Sequence, residues 1–332
     1  MDGICTLAND KVYDQLIALL NSIEVILGSE IPVCVYPYDD KTTRIAAEIS
    51  RRPNVQLYDD QYSIHKWDKF VRAVWDSHPT ACESWSKLSS ERYHRVGTHR
   101  RFCAFDGPFE RFIYIDADTL IMGSMEPIFA QLNTDDFVVY DFQHTDPTHV
   151  YELSSPKLTQ VFPQERIKTE IFCSGFYASK KDLFSREQMD RLLSQLQAGE
   201  AEILYINAPD QTVLNYLVMR SGVSSTNLAL SLPKSERTGC CVTSLHFQEK
   251  DHILYDSNNQ RLTYIHYIGI SSKYFSQLCA GENIDFPYRD LFLHYRYLHE
   301  PEKRPKFTGK PKPYNPPPSL ASKVLRKLGL TR

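Results

Sequence analysis

Three features of this sequence predict an α/β protein with a mixed, mainly parallel sheet flanked by helices. Short apolar runs alternate with amphipathic segments through residues 3–58, in β-α-β-α-β order. A later apolar run, residues 112–115, reads as a strand buried on both faces. That run leads into Asp116-Ala117-Asp118. Two carboxylates at the carboxyl end of a strand lie where open α/β sheets take their ligands.

Residues 3–8 form the first predicted strand, and residues 10–27 an amphipathic helix ended by Gly28. A strand over 32–36 follows, then a helix over 41–51 stopped ahead of Pro53, then a strand over 55–58. Residues 60–92 are aromatic and polar with weak periodicity, and read as a loop-rich insertion. A helix over 95–105 leads to the Asp116 strand. Strands over 136–141 and 171–178 and helices over 181–196 and 210–220 come next. Residues 252–255 and 262–266 flank Asp256-Ser257-Asn258-Asn259-Gln260, a β-hairpin signal. There is no internal repeat, and residues 1–300 read as one domain followed by a tail.

With 332 residues, 42% hydrophobic and 12% aromatic, the chain has the material for a sizeable core. No run approaches the roughly 18 apolar residues of a membrane span. Met1-Asp2-Gly3-Ile4-Cys5 has neither the basic nor the apolar region of a signal peptide. The eight cysteines make no Cys-x-x-Cys pair, which favours reduced core thiols over a zinc site. Both points lead to the expectation of a cytoplasmic protein. Charge is uneven: residues 301–332 carry +8, leaving −11 on residues 1–300. In that Pro/Lys-rich tail Pro316-Pro317-Pro318 is a stiff spacer. Beyond it Leu320, Val324, Leu325 and Leu328 stand against Lys323, Arg326 and Lys327. The segment suits either a peripheral contact with anionic lipid at the inner membrane face or a solvated tail. An acidic body argues against nucleic-acid binding.

Two aspartates at i and i+2 make a hard-oxygen site suited to Mg²⁺ or Mn²⁺ with a phosphorylated ligand. Other segments offer matching chemistry. Thr6-Leu7-Ala8-Asn9-Asp10 ends the first strand, and Tyr13 offers a face for a nucleotide base. Arg100 precedes the Asp116 strand and suits a diphosphate. Asp210 and Gln211 open a helix, where Asp210 could equally be an N-cap. His266 is a candidate third metal ligand, and Gly269 allows close approach to a phosphate.

Taken in order, these segments resemble the glycogenin-like, metal-dependent retaining glycosyltransferases of family 8, which have the GT-A fold. The resemblance runs over residues 3–275. It is carried by Asp116-Ala117-Asp118-Thr119-Leu120, Cys173-Ser174-Gly175-Phe176, Asp210-Gln211-x-x-Leu214-Asn215 and His266-Tyr267-x-Gly269. It implies that Asp116, Asp118 and His266 hold Mn²⁺ or Mg²⁺ on the diphosphate of a UDP-hexose donor. It implies donor contacts from Leu7, Ala8, Asn9, Tyr13, Arg100, Ala117, Ser174, Gly269 and Lys273. Asp210 and Gln211, with Asp118, are implied in catalysis: Asp210 binds sugar hydroxyls and Gln211 lies beneath the anomeric carbon. The acceptor would be a glycan, a lipid or a small molecule. Cys173 stands where the family usually has Asn, and Lys273 lies four residues after Gly269 where the family places its Lys three residues on.

Other functions fit fewer residues. Asp116-x-Asp118-Thr119 also fits a phosphatase of the haloacid dehalogenase type, with Asp116 as nucleophile. That motif normally sits in the first strand, and it leaves His266 and Asp210-Gln211 without a role. A nucleotidyltransferase would need a Gly-rich phosphate loop after the first strand. A non-catalytic nucleotide-sugar-binding protein would have no need of two unpaired carboxylates.

Overall fold

The computed structural model describes residues 1–87, 91–238 and 246–316. Cys240, Cys241 and the amphipathic segment around Leu320–Leu330 lie outside them. Seven strands form the central sheet: β1 (Asp2–Ala8), β2 (Val33–Pro37), β3 (Val55–Leu57), β4 (Arg111–Ile115), β6 (Phe137–Val139), β7 (Phe176–Lys180) and β8 (Ser225–Asn227). Their order is β3-β2-β1-β4-β7-β6-β8. The first four run parallel, β7 is antiparallel to both its neighbours, and β8 is parallel to β6. Outside this sheet β5 (Thr119–Ile121) pairs with β11 (Tyr264–His266), β9 (Gln248–Lys250) with β10 (Ile253–Tyr255), and β12 (Ile284–Asp285) with β13 (Lys312–Pro313).

Alternation along the strands decides which apolar cluster each residue joins. Cys5, Leu7, Phe112 and Tyr114 face one cluster, which also holds Trp67, Trp75 and Trp85. Ile4, Ala8, Ile113 and Ile115 face the other, under the helix Tyr13–Leu27. A third cluster joins β5 and β11 to the helices Ser272–Cys279 and Arg289–Arg296. The six cysteines described are all free thiols. No helix among the described residues is long and apolar enough to cross a membrane.

Three expectations need correction. Residues 60–92 contain two helices, Gln61–Asp76 and Ala81–Ser86, in place of a loop-rich insertion. Asp60 caps the first through the N–H groups of Tyr62 and Ser63. Ile64, Trp67, Val71, Val74 and Trp75 make its buried stripe at helical spacing. The exposed Tyr62 ahead of the stripe and the part-buried Phe70 within it blur that period in the sequence. The strand read over 171–178 is regular only from Phe176. Ahead of it, side chains replace a neighbouring strand: Asn215 exchanges two hydrogen bonds with the backbone of Phe172 (2.9 and 2.8 Å), and the N–H of Cys173 donates to Asp141 (3.0 Å). The hairpin around Asp256–Gln260 turns as expected, with the N–H of Leu262 donating to the carbonyl of Leu254 (2.9 Å). Its arms then part. β10 pairs with β9 across Asp251 and His252, both left-handed (φ 51° and 61°), the geometry of a two-residue hairpin turn. β11 pairs with β5, His266 opposite Thr119. That pairing carries His266 to the metal motif.

Candidate active site

β4 ends at Ile115, and the backbone N–H of Asp116 donates to the carbonyl of Gly175 (2.9 Å). The chain re-enters β5 at Thr119, so Asp116 and Asp118 sit on a short link between two strands. The N–H of Tyr267 donates to the carbonyl of Asp118 (2.9 Å), which ties the link to the end of β11. Nε2 of His266 lies 3.2 Å from Oδ1 of Asp118 and 3.9 Å from Oδ2 of Asp116. One ligand atom from each of the three lies within 4.8 Å of the others. Two carboxylates and an imidazole form a donor set that could hold a divalent metal ion. Gly175 makes the convergence possible: a Cβ there would lie 2.5 Å from Cε1 of His266 and 2.9 Å from Oδ2 of Asp116.

The two aspartates titrate in opposite directions. Burial pushes the Asp116 carboxyl above its ordinary range, with Asp118 adding repulsion and Arg101 pulling against both. Burial works on Asp118 in the same sense, but the charge and hydrogen bond of His266 outweigh it and hold Asp118 low. His266 is correspondingly held above its ordinary value, Asp118 overriding the burial that would lower it.

On the other side of Asp116 lies Arg101, which sequence spacing does not single out. Its guanidinium is buried and reaches Asp116 Oδ1 and Asp210 Oδ2, each at 3.1 Å. It also donates to the carbonyls of Thr98 (3.1 Å) and Ser174 (2.8 Å) and to Ser174 Oγ (3.0 Å), and stacks on Tyr114 (4.8 Å). The Tyr114 hydroxyl donates to Asp116 (2.9 Å). Burial would raise the carboxyl of Asp210, but Arg101, with His99 and Arg95, holds it at about 2. Gln211 is fixed at both ends: its carbonyl accepts from the N–H of Ser174 (3.1 Å) and its amide donates to the carbonyl of His149 (3.0 Å).

The structure therefore brings Asp116, Asp118, His266, Ser174, Asp210 and Gln211 together. Leu7, Ala8, Asn9 and Ala117 line one cleft with Asp116 and Asp118. Asn9 donates to Asp39 (3.0 Å) at the end of β2. Gly269 is exposed and left-handed (φ 80°), and its neighbours Ile270 and Ser272 line the cleft. Lys273 is exposed in the first turn of its helix. Arg100 pairs with Asp68 (3.1 Å), outside the cleft lining. Tyr13 also lies outside it, between the guanidinium groups of Arg44 (4.2 Å) and Arg296 (5.5 Å). The segment Val96–Asp106 is a 3₁₀-helix, so α-helical spacing could not tell which of two adjacent arginines faces inward. Arg101, Tyr38 and Asp39 are among the cleft residues that sequence reasoning missed.

No family model and no curated protein matches this sequence. Solved structures do. The fold is similar to that of WbbM, a bifunctional glycosyltransferase in its apo form, at 15% identity over 91% of this chain, with a TM-score of 0.55. This chain spans about half (51%) of that one. It is similar to LgtC, a galactosyltransferase solved with donor and acceptor sugar analogues, at 16% identity over 88% of this chain and 100% of that one, with a TM-score of 0.52. At such identities the likeness is one of fold: the chain has the GT-A fold of glycosyltransferases.

Proposed function

We propose that this chain is a metal-dependent glycosyltransferase that moves a hexose from a UDP-sugar to an acceptor hydroxyl, with retention at the anomeric carbon. The observation that carries it is the convergence of Asp116, Asp118 and His266 on one side of a cleft, joined through Arg101 to Asp210. Asp116, Asp118 and His266 would hold a divalent cation, Mn²⁺ or Mg²⁺, which when bound offsets the charge of the departing diphosphate. Leu7, Ala8, Asn9 and Ala117, which line the cleft beside Asp116 and Asp118, would contact the nucleoside end. Asp210, charged at neutral pH, accepts hydrogen bonds from sugar hydroxyls beside Ser174. Gln211, held by two hydrogen bonds, keeps its place beneath the anomeric carbon. Arg101 is a positioning residue that sets Asp116 and Asp210 at a fixed separation. Lys273 adds positive charge for the diphosphate and Gly269 leaves room for its approach, whereas Arg100, paired with Asp68 outside the cleft, has no part in it.

Residues 1–300 form the transferase domain in this reading, working in the cytoplasm. The basic end of the chain meets an anionic membrane face that presents a glycan or lipid-linked acceptor. Hydrolysis of a panel of UDP- and GDP-sugars with Mn²⁺ or EDTA tests the reading. Metal-dependent release of UDP from one or two donors is expected. No turnover, together with no metal-dependent UDP binding, overturns it. Liposome binding unchanged by removal of residues 317–332 overturns the membrane part alone.

A further inference from the structure

We infer that the nucleobase of the donor stacks on Tyr38, an aromatic supplied by the end of β2, and that Tyr13 has no part in binding it. The inference rests on the UDP-sugar reading and assigns the nucleoside end of the same site. The cleft has a volume of about 490 Å³ and opens over the carboxyl ends of β1 and β2. That is the edge at which an open parallel sheet receives a nucleotide. Among the described residues lining it, Tyr38 is the one aromatic.

Tyr38 is also well seated. Its backbone N–H donates to the carbonyl of Ala8 (2.9 Å), continuing the β1–β2 ladder one residue beyond the strand. Gly97 closes on it from the other side: a Cβ at Gly97 would lie 2.1 Å from the carbonyl oxygen of Tyr38 and 3.1 Å from its ring. The ring is thus held between a strand end and the 3₁₀-helix, part-exposed, with Leu7, Ala8 and Asn9 beside it. A rigid ring on a fixed backbone loses little conformational freedom when a base packs on it. Tyr13 is differently placed. Two guanidinium groups flank it, and it lines a separate cavity with Glu48 and Arg52.

Calorimetric titration of the Mn²⁺-loaded protein with UDP, and separately with inorganic pyrophosphate, tests this. Tyr38→Leu keeps bulk but has no ring face. It should weaken UDP roughly tenfold or more, the scale of one base–aromatic stack, and leave pyrophosphate affinity unchanged. Tyr38→Phe should bind UDP as the unmodified protein does, which separates stacking from a structural role of the hydroxyl. Tyr13→Leu should leave UDP affinity unchanged. UDP affinity kept in Tyr38→Leu, or lost in Tyr13→Leu, overturns the inference while the function stands. Equal weakening of UDP and pyrophosphate in Tyr38→Leu overturns it as well. Failure of the unmodified protein to bind UDP or GDP with metal overturns the function itself and this inference with it.

Discussion

Arg101 and His266 flank the same carboxylate, and the clusters they build differ in kind. Around Arg101 one guanidinium answers two carboxylates, two carbonyls and a hydroxyl, and the Tyr114 ring closes its face. Around His266 a single imidazole answers two carboxylates, and one of those is pushed toward protonation. The first arrangement is closed and holds the fold. The second keeps like charges close together, a strain that a folded protein tolerates where a ligand relieves it. Asp116 belongs to both, so stability and chemistry are joined at one side chain.

Breaking the closed cluster should have the largest effect on stability. Arg101→Met strands the buried Asp210 and the part-exposed Asp116, and urea unfolding should show a loss of about 3–5 kcal/mol. A loss below about 1 kcal/mol would mean that Asp116 and Asp210 do not depend on it. Gly175→Ala strikes the border between the clusters. Its Cβ would push on backbone-anchored His266 and Asp116, with a destabilisation of about 1–3 kcal/mol and a weaker Mn²⁺ affinity by calorimetry. Wild-type values for both would show that His266 moves freely.

Asp210 sharpens the comparison through pH. Its folded value of about 2 lies below its ordinary 3.8, so its charged form contributes stability, about 2 kcal/mol. That contribution is fully present above pH ~4 and is lost as pH falls toward 2. The stability gap between wild type and Asp210→Asn should close over that window. A gap that stays constant down to pH 2 would contradict the pairing with Arg101. Asp118→Asn should change stability in EDTA least, within about 0.5 kcal/mol, because it relieves repulsion as it removes a partner of His266. Turnover should nevertheless be abolished; full activity in this variant would remove the metal triad from the mechanism.

The sequence shows one of these clusters far better than the other. Asp116, Asp118 and His266 stand at the ends of apolar runs, where strand periodicity marks them. Arg101 stands beside Arg100 in a 3₁₀-helix, and only the three-dimensional path decides between them. The same contrast holds for the sheet. β1, β2 and β4 are parallel and buried, and read as near-continuous apolar runs. The approach to β7 is built from side-chain amides at Asn215 and Gln211, far off in sequence, that no local pattern reports. β11 was legible as a strand but not its partner, because the Asp251-His252 turn that claims β10 contains no glycine.

Composition divides this chain at residue 300, but packing divides it later. Lys312 and Pro313 pair with Ile284 and Asp285 as β13 on β12, and Phe307 and Tyr314 pack on the third apolar cluster. A truncation at Glu300 would therefore peel a strand and two aromatic anchors from the body, and any loss of membrane binding or activity would be confounded with local unfolding. Cutting after Pro316 leaves those contacts whole, and is the shortened chain on which the role of the basic end should be judged.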